Sequence, residues 1–316
     1  MRAVDEASER IGRALAKGWM LRDAPMRDYT SFRAGGRAAC LVAPYGEGEL
    51  GAALEIAEGS GAPWAIMGNG SNILVRDGGF SGIIIKIGEG FESIRADGCA
   101  IHAGAGALLS DVADAALGAG LTGFEFAAGI PGSLGGAVCM NAGAYGGEMS
   151  GVLASVRLMG VVRDGAGARA RAREAEAGEL GMSYRRSSLQ AGGVAALGAS
   201  IRLSRGDPGS IRALMSEYAR IRAEKQPLGL PSAGSFFRRP EGNYAGRLIQ
   251  EAGLCGMSRG GAEVSRLHAG FIVNAGGATA KDITDLMEAV QSAVYARFGV
   301  MLEPEVRIIG DVQAGV

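Results

Sequence analysis

Two glycine-rich segments of the sequence have the composition of a phosphate-binding site. Residues 68–72 read Gly-Asn-Gly-Ser-Asn, and residues 129–136 read Gly-Ile-Pro-Gly-Ser-Leu-Gly-Gly and are followed by Asn141, Ala142 and Gly143. Glycine allows a backbone to approach a ligand closely, and successive N–H groups can surround an anion. A strand-ending turn explains the first segment equally well, but the two segments together predict that the chain binds a dinucleotide.

Two common nucleotide-binding signatures do not provide this site. Residues 118–123 match the pattern GxGxxG, but they follow a predicted helix, whereas a dinucleotide-binding fingerprint follows a strand. A turn that ends the helix explains them better. The GxxxxGKS or GxxxxGKT phosphate loop does not occur in the sequence. The nucleotide is therefore expected to bind in another arrangement.

A serine-containing segment could supply a proton in a closed site. Residues 232–235 read Ser-Ala-Gly-Ser, follow Lys225 and precede Phe236 and two arginines. A solvent-exposed turn is the alternative interpretation. Serine without a histidine base is a poor nucleophile, so acyl transfer requires that His102 or His268 fold alongside. Proton donation by a serine hydroxyl remains open.

Two further segments carry charged side chains. Tyr184 precedes Arg185 and Arg186, and Glu305 lies two residues before Arg307 near a predicted terminal strand. Either segment could form a surface ion pair, and local sequence favours that interpretation over catalysis.

The cysteines and histidines do not predict a metal site. There are four cysteines and two histidines, and no two cysteines are spaced as CxxC. A zinc site built from Cys and His is therefore poorly supported. Free cysteine is usually buried, so we expect these residues to be buried free thiols. The four are Cys40, Cys99, Cys139 and Cys255.

Length and charge limit the kinds of partner. The chain has 316 residues, which predicts two or three domains, and its formal net charge of -1 argues against nucleic acid as a partner. The first 20 residues are charged and helix-like, without the apolar core of a signal peptide, and no run of 18 apolar residues follows. We therefore expect a cytoplasmic protein without membrane insertion.

Apolar spacing predicts mixed α and β structure. Strands are expected at residues 39–43, 64–67 and 82–87, with a helix at 47–58. Further strands are expected at 92–95, 100–103, 152–162 and 194–203, and helices begin near residue 109, after Asp207 and after Thr279. Residues 165–180 lack apolar periodicity and are interpreted as a surface excursion. A domain boundary is placed near residue 205.

Six of these motifs, taken in chain order over about residues 29–310, resemble the UDP-N-acetylenolpyruvoylglucosamine reductase family. They are residues 68–72, 129–133, 140–145, 184–185, 232–235 and 305–307. The resemblance implies a two-part FAD-binding domain of the vanillyl-alcohol-oxidase (PCMH) type, followed by a C-terminal α/β substrate domain. It divides the chain into an N-terminal helical segment at 1–27, the FAD domain at 28–204 with parts at about 28–87 and 88–204, and the substrate domain at 205–311.

The same resemblance implies roles for individual residues. FAD binds non-covalently, NADPH is the hydride donor, and the substrate is a UDP-sugar whose enolpyruvyl ether is reduced in peptidoglycan precursor synthesis. The implied catalytic residues are Ser235 as proton donor, Arg185 as the cation beside the substrate carboxylate, and Glu305 as its partner acid. The implied substrate contacts are Tyr184, Lys225, Tyr218 and Phe236. The implied cofactor contacts are Gly68, Asn69, Gly70, Ser71, Asn72, Gly129, Ile130, Pro131, Gly132, Ser133, Gly136, Asn141, Ala142 and Gly143.

Two other functions are weighed against this reductase. An oxidase of the same fold would turn over oxygen and often carries flavin tethered by His or Cys, but neither histidine lies in a glycine-rich loop of the type that tethers flavin. A binding protein without catalysis would not need Ser235, Arg185 and Glu305 together. The chain lacks the tyrosine-bearing insertion of the longer branch of the family, so it resembles the shorter branch. A monomer is favoured.

Overall fold

The computed structural model describes residues 2–164 and 167–311, which fold into two units that are discontinuous in sequence. The first unit contains the residues up to Arg22 together with Cys40–Asn69 and Gly82–Arg222. The second contains Asp23–Ala39, Gly70–Ser81 and the residues from Ala223 onward. The domain boundaries inferred from the sequence, at residues 27 and 204, differ from the limits of these units and stay a prediction.

Seven α-helices lie in the residues that the structure describes. They are α1 (Arg2–Ala14), α2 (Glu47–Ser60), α3 (Leu109–Gly118), α4 (Leu134–Met140), α5 (Pro208–Lys225), α6 (Ala245–Glu251) and α7 (Ala280–Phe298).

The strands are short, apart from three in the middle of the chain. They are β1 (Trp19–Pro25), β2 (Arg37–Ala43), β3 (Trp64–Met67), β4 (Ile73–Val75), β5 (Phe80–Lys86), β6 (Ile94–Asp97), β7 (Ala100–Gly104), β8 (Leu121–Thr122), β9 (Gly143–Ala144), β10 (Gly147–Glu148), β11 (Leu153–Asp164), β12 (Gly167–Glu176), β13 (Val194–Arg202), β14 (Ser204–Arg205), β15 (Ser232–Ser235), β16 (Ser258–Arg259), β17 (Ala262–Val264), β18 (Phe271–Asn274) and β19 (Arg307–Ile309).

A five-stranded sheet with the order β12-β11-β13-β7-β6 organises the first unit. Its strands pair antiparallel, and β11 shows why both faces are covered. Successive side chains of a strand point to opposite faces, and both Leu158 and Met159 are buried. Leu158 packs in a core with α3 and α4, whereas Met159 packs in a second core with α1 and α2. The sheet therefore lies between two helical layers.

A separate four-stranded sheet has the order β1-β2-β5-β3. In it, β3 and β5 run parallel, with Trp64 opposite Ile83 and Met67 opposite Lys86. Ile83 and Ile85 are fully buried in the same core as Leu50 and Leu54 of α2. Because α2 packs on these strands, the end of β3, where the glycine-rich turn begins, is held in place.

The second unit is built on the sheet β15-β18-β17-β16 and helix α7. Ile283, Leu286, Val290 and Val294 of α7 are spaced by three or four residues, which places them on one face, and all four are fully buried. Thr279 caps this helix: its Oγ1 accepts the N–H of Asp282 at 3.0 Å, while the Asp282 carboxylate accepts the N–H of Thr279. The helix start predicted after Thr279 is therefore confirmed, and it has a capping box.

Most elements predicted from apolar spacing are confirmed, including β3, α2, α3 and the helix that begins after Asp207. Asp207 caps that helix, because its Oδ2 accepts the N–H of Ser210 at 2.8 Å. Residues 118–123 end α3, as expected. Local spacing and capping signals were sufficient for these elements because each depends on residues within one or two turns.

Four expectations need correction. The N-terminal segment is helical only over Arg2–Ala14, and β1 follows it. The strand expected at 92–95 begins at Ile94. Much of the predicted surface excursion is β12, an edge strand that pairs with β11 along ten residues. Its alternating Ala and Arg side chains hide its apolar periodicity, since alanine contributes little hydrophobicity. Of the four free thiols, Cys40 is buried, Cys139 is half-buried, and Cys99 and Cys255 are exposed.

Candidate active site

The turn after β3 offers successive backbone donors. Among the described residues, no protein acceptor is hydrogen-bonded to the backbone N–H groups of Gly68, Asn69, Gly70 or Ser71. Gly70 has φ +68°, and a Cβ at this position would overlap the carbonyl oxygen of Tyr29. The turn therefore needs glycine at this residue, and its free N–H groups suit an anion.

Gly68 connects this turn to the second glycine-rich segment. A Cβ added to Gly68 would overlap Oγ of Ser133, the residue that precedes α4. Ser133 Oγ is buried and has no hydrogen-bond partner among the described residues. A buried hydroxyl without a partner is costly unless a ligand satisfies it. The two segments that the sequence suggested for phosphate binding thus meet at Gly68 and Ser133.

The second segment is more ordered than the sequence suggested. Residues 134–140 form α4, and the N–H groups of Ile130, Gly132, Leu134 and Gly135 donate to backbone carbonyls. The expectation that this whole segment turns its donors outward is therefore wrong. Glycine here serves close packing instead: a Cβ on Gly135 would lie 2.9 Å from Cβ of Ala105. The first turn of α4 contains Gly136 and is preceded by Gly129 and Pro131.

Asn141 ends α4 and organises the residues beyond it. It is fully buried and adopts a left-handed conformation with φ +43°. Its side-chain amide donates to the carbonyl of Ser183 at 3.0 Å and accepts the N–H of Ser150 at 2.9 Å. The N–H of the next residue, Ala142, donates to Ala137, so Asn141 acts as an αL cap. The side chain of Asn141 is therefore used inside the protein.

Arg185 is anchored to the residues that follow α4. Its Nη2 donates to the carbonyl of Gly143 at 2.7 Å, and its Nη1 donates to the carbonyl of Asn141 at 3.4 Å. The guanidinium also lies 5.0 Å from the ring centre of Tyr184, which is exposed. These contacts orient the guanidinium, a planar group whose fork of donors matches a carboxylate. The predicted catalytic cation is thus oriented by the predicted cofactor-binding segment.

Tyr145, between β9 and β10, packs on Tyr218 of α5. The rings of Tyr145 and Tyr218 stack with centroids 4.1 Å apart and 6° between their planes, and Tyr145 Oη donates to the carbonyl of Tyr218 at 3.0 Å. Tyr218, which the sequence assigned to substrate contact, is half-buried beneath this partner. Tyr145 lies in the same motif as Asn141, which is the signal that could have identified it.

Arg222 is a residue that sequence reasoning missed. It lies one helical turn after Tyr218, and a Cβ on Gly129 would be 2.8 Å from its Nη1, which is buried. Burial lowers the pKa of Arg222, and the nearby Tyr145 opposes this shift. The position four residues after Tyr218 was the available signal, because residues i and i+4 share a helix face. A buried positive charge therefore borders the second glycine-rich segment.

The second unit brings Asn72, Ser235 and Glu305 to one region. Ser235 lies opposite Phe271 at the end of β15, and the N–H of Glu305 donates to the carbonyl of Phe236, next to Ser235. Asn72 Nδ2 donates to the carbonyl of Glu305 at 3.1 Å, and the backbone around Asn72 continues into the β4–β19 pair. The exposed hydroxyl of Ser235 and the carboxylate of Glu305 are therefore attached to hydrogen-bonded backbone.

The remaining predicted substrate contacts behave differently. Lys225 ends α5 and is exposed, so its ammonium group can reach a ligand. Phe236 is fully buried and packs edge-on against Phe32, with ring centroids 6.1 Å apart. Its side chain belongs to the core of the second unit, so we leave Phe236 out of the candidate site. Phe236 directly follows β15 and is buried together with Phe237, whereas Ser235 at the end of the strand is exposed.

Histidine-based chemistry finds no support in the described residues. His102 Nδ1 lies 2.9 Å from Ser200 Oγ on the neighbouring strand β13. His268 Nδ1 accepts the N–H of Gly270 at 3.1 Å, and burial lowers its pKa. Residues 256–260 match the nucleophile pattern GxSxG, which sequence reasoning passed over, but Ser258 lies in the short strand β16 of a hairpin. A nucleophile elbow requires a strand-to-helix turn.

These observations fit the binding of a diphosphate. The turn of Gly68 to Ser71 supplies free donors, Ser133 supplies an unsatisfied hydroxyl, and Arg222 supplies positive charge nearby. Donors of this kind, clustered around a glycine without a side chain, are what a dinucleotide backbone requires. The geometry therefore supports a dinucleotide cofactor beside these glycine-rich segments.

Two family models match separate parts of the chain. Residues 38–169 match the family model described as an FAD binding domain. Residues 226–309 match the model described as the C-terminal domain of UDP-N-acetylenolpyruvoylglucosamine reductase.

Individual relatives extend the match to nearly the whole chain. The UDP-N-acetylenolpyruvoylglucosamine reductase of Clostridioides difficile strain 630 is 46% identical over 92% of this chain and 93% of its own length. The protein of the same name from Alkaliphilus oremlandii is 44% identical over 97% of this chain and 98% of its own length. The crystal structure of the Thermus caldophilus reductase superimposes with a TM-score of 0.77 at 34% identity, covering 92% of this chain and 98% of that one.

These matches confirm the predicted fold class, an FAD-binding domain of the two-part type joined to a C-terminal substrate domain. Over the residues that the structure describes, no helix has both the length and the apolar character needed to cross a bilayer.

Proposed function

Because the chain belongs to the UDP-N-acetylenolpyruvoylglucosamine reductase family, we propose that it reduces the enolpyruvyl ether of UDP-N-acetylglucosamine enolpyruvate to UDP-N-acetylmuramate. NADPH is the hydride donor, and the product enters peptidoglycan precursor synthesis in the cytoplasm. Family membership and the FAD-binding domain make the chain an FAD-dependent oxidoreductase. When bound, FAD takes two electrons from NADPH and delivers them as hydride to the substrate.

Residues of the two glycine-rich segments hold the cofactor in this proposal. The N–H groups of Gly68, Asn69, Gly70 and Ser71 and the hydroxyl of Ser133 bind the diphosphate. The unsatisfied state of Ser133 Oγ supports this assignment, because a phosphate oxygen would accept its proton. The other proposed contacts are Asn72, Gly129, Ile130, Pro131, Gly132, Gly136, Asn141, Ala142 and Gly143, of which Asn141 contributes backbone.

The observation that supports the reductase most is the anchoring of Arg185. Hydride added to the terminal carbon of the enol ether places negative charge on the adjoining carbon and its carboxylate. A fixed cation stabilises that charge more in the transition state than in the ground state. Arg185 is such a cation, because the carbonyls of Asn141 and Gly143 hold its guanidinium in one orientation. In this proposal the guanidinium binds the substrate carboxylate.

The second unit supplies the proton and the partner acid. We assign Ser235 as the donor that protonates the carbon next to the substrate carboxylate. A hydroxyl of high pKa can do this because the carbanion-like species is a much stronger base. Glu305 is the acid that accompanies Arg185 in holding the substrate carboxyl region. The backbone of Glu305 is held by hydrogen bonds to Phe236 and Asn72, which orient the residue.

Tyr184, Lys225 and Tyr218 complete the proposed substrate contacts. Tyr184 is exposed beside Arg185, and Lys225 is an exposed cation that can neutralise a diphosphate. Tyr218 is oriented by its stacking on Tyr145.

Anaerobic absorbance spectroscopy tests the proposed function. Flavin bands that bleach with NADPH and return on addition of UDP-N-acetylglucosamine enolpyruvate, with formation of UDP-N-acetylmuramate, are the expected result. Flavin that is reoxidised only by oxygen would identify an oxidase, and a protein without flavin would reduce the assignment to a binding protein. Replacing Arg185 with alanine is expected to slow the second half-reaction by about 100-fold or more and leave reduction by NADPH intact.

A further inference from the structure

The side-chain amide of Gln190 lies behind Arg185. Its Nε2 donates to the carbonyl of Arg185 at 2.9 Å and to the carbonyl of Cys139 at 3.1 Å, and it lies 3.4 Å from Met140 Sδ. Gln190 is half-buried, and none of the motifs noted in the sequence includes it. One side chain therefore connects the backbone of the predicted catalytic arginine to the end of α4.

Arg185 is held in a conformation that arginine rarely adopts. Its φ is +55°, within a tight turn in which Ser183 and Arg186 exchange backbone hydrogen bonds of 3.0 and 2.9 Å. A left-handed conformation in a residue with a Cβ is strained and persists only where surrounding contacts impose it. The bond from Gln190 is made to the carbonyl of this strained residue itself.

Hydrogen bonds hold both the guanidinium and the backbone of Arg185. The guanidinium donates to the carbonyls of Asn141 and Gly143, and the backbone carbonyl accepts from Gln190. All of these partners lie at the C-terminal end of α4 or directly beyond it, apart from Gln190, which itself reaches back to Cys139. The side-chain contacts orient the charge, and the Gln190 contact maintains the backbone from which the side chain extends.

We propose that Gln190 is a positioning residue for the reduction step: it maintains the strained turn that places the Arg185 guanidinium. The inference rests on the proposed function, in which Arg185 stabilises the charge on the substrate carboxylate. A small displacement of such a group can lower a rate by up to about 100-fold, because the group acts only where charge develops. In this proposal Gln190 does not contact the substrate.

Ser187, which directly follows this turn, offers a matched control. Its Oγ donates to the same Cys139 carbonyl at 2.7 Å, but it makes no bond to the backbone of Arg185. Loss of either side chain removes one hydrogen bond from that carbonyl. Only loss of Gln190 removes the support of the strained residue. Ser187→Ala therefore reports on stability at the end of α4 without the positioning contact.

A double-mutant cycle with rapid mixing tests the inference. The FAD-loaded protein is reduced with NADPH, and the rate of flavin reoxidation by UDP-N-acetylglucosamine enolpyruvate is measured for wild type, Gln190→Met, Arg185→Ala and the double variant. Methionine keeps the length of glutamine and loses the donor. We expect Gln190→Met to slow reoxidation about 10- to 100-fold without changing reduction by NADPH. In the Arg185→Ala background it should cause no further loss, and Ser187→Ala should remain close to wild type.

Other outcomes separate the possible failures. Equal losses from Gln190→Met in both backgrounds, or equal losses from Gln190→Met and Ser187→Ala, would mean that Gln190 only supports the fold and would overturn the inference. If Arg185→Ala itself reoxidises at the wild-type rate, the proposed role of Arg185 fails. Should Gln190→Met not retain FAD, Gln190→Leu also lacks the donor, adds no charge near Arg185, and carries the same expected result.

Discussion

Gly68 and Ser133 lie so close together that even a methyl group on residue 68 would overlap the Ser133 hydroxyl. The two residues are 65 positions apart in the sequence and belong to different glycine-rich segments. Their contact turns two weak motifs into one cradle that contains a buried hydroxyl without a protein partner. The cradle yields predictions about cofactor affinity that can be measured without catalysis.

Gly68→Ala should weaken FAD binding by about tenfold or more, equivalent to at least ~1.4 kcal/mol, because the added methyl displaces Ser133. Titration of apoprotein with FAD, followed by flavin fluorescence, measures the dissociation constant. Gly59→Ala is the control, since a Cβ at Gly59 of α2 meets no atom within 4 Å. Unchanged affinity in Gly68→Ala would remove this turn from the cofactor site.

Ser133→Ala should separate affinity from stability. The hydroxyl has no partner among the described residues, so removing it relieves a buried unsatisfied group and should leave apoprotein stability equal or higher by up to about 1 kcal/mol. FAD affinity should fall at the same time, because the ligand loses a donor. Urea unfolding of the apoprotein and FAD titration give the two quantities. A parallel fall in both would indicate a structural role for the hydroxyl.

Ser235→Ala should divide the two half-reactions. Flavin reduction by NADPH should proceed at the wild-type rate, while UDP-N-acetylmuramate formation should be lost, because no proton reaches the carbon that receives negative charge. Stopped-flow absorbance measures the first step, and product analysis by chromatography measures the second. Ser232→Ala, at the other end of β15, is the control. Normal turnover by Ser235→Ala would refute the assignment of the proton donor.

Glu49 should make stability depend on pH in the acidic range. Its carboxylate accepts four backbone N–H groups, from Ala16, Lys17, Gly18 and Tyr45, at 2.8 to 3.0 Å. Desolvation raises the pKa of Glu49, but these donors together outweigh it and lower the pKa to about 2, from 4.5.

A group whose pKa is lower in the folded state stabilises the protein above its unfolded pKa and loses this contribution as pH falls through the folded value. Glu49→Gln should therefore lower Tm at pH 7, and the difference from wild type should shrink between pH 4.5 and pH 2. Thermal unfolding at several pH values measures it. A difference that stays constant across this range would show that Glu49 contributes by packing instead of charge.

Thr279→Ala should destabilise the second unit by about 1 kcal/mol, because the helix α7 loses its capping hydroxyl. Chemical denaturation provides the free energy of unfolding. Thr284→Ala serves as the comparison: Thr284 lies inside the same helix, and its hydroxyl donates only to the Lys281 carbonyl. Alanine has the higher helix propensity, so that variant should match or exceed wild-type stability. Similar losses in both would argue against the cap.

The sequence by itself determined the elements that depend on neighbouring residues. The apolar spacing of α7, the cap at Thr279 and the strand of Trp64–Met67 could be predicted because their causes lie within a few residues. Motif order was enough to indicate the family. The alternating Ala and Arg of β12 obscured a strand, because its pairing with β11 outweighs its weak local preference for that conformation.

Tertiary structure alone decided how the candidate site is assembled. Contacts between residues distant in sequence placed Ser133 against Gly68, Arg222 against Gly129 and Gln190 against the carbonyl of Cys139. Long-range packing also made both units discontinuous and buried Phe236 while leaving Ser235 exposed. Local sequence patterns report which face of an element is apolar, but they contain no information on which distant backbone that face meets. The physical reason is that long-range packing depends on the whole chain closing around its cores.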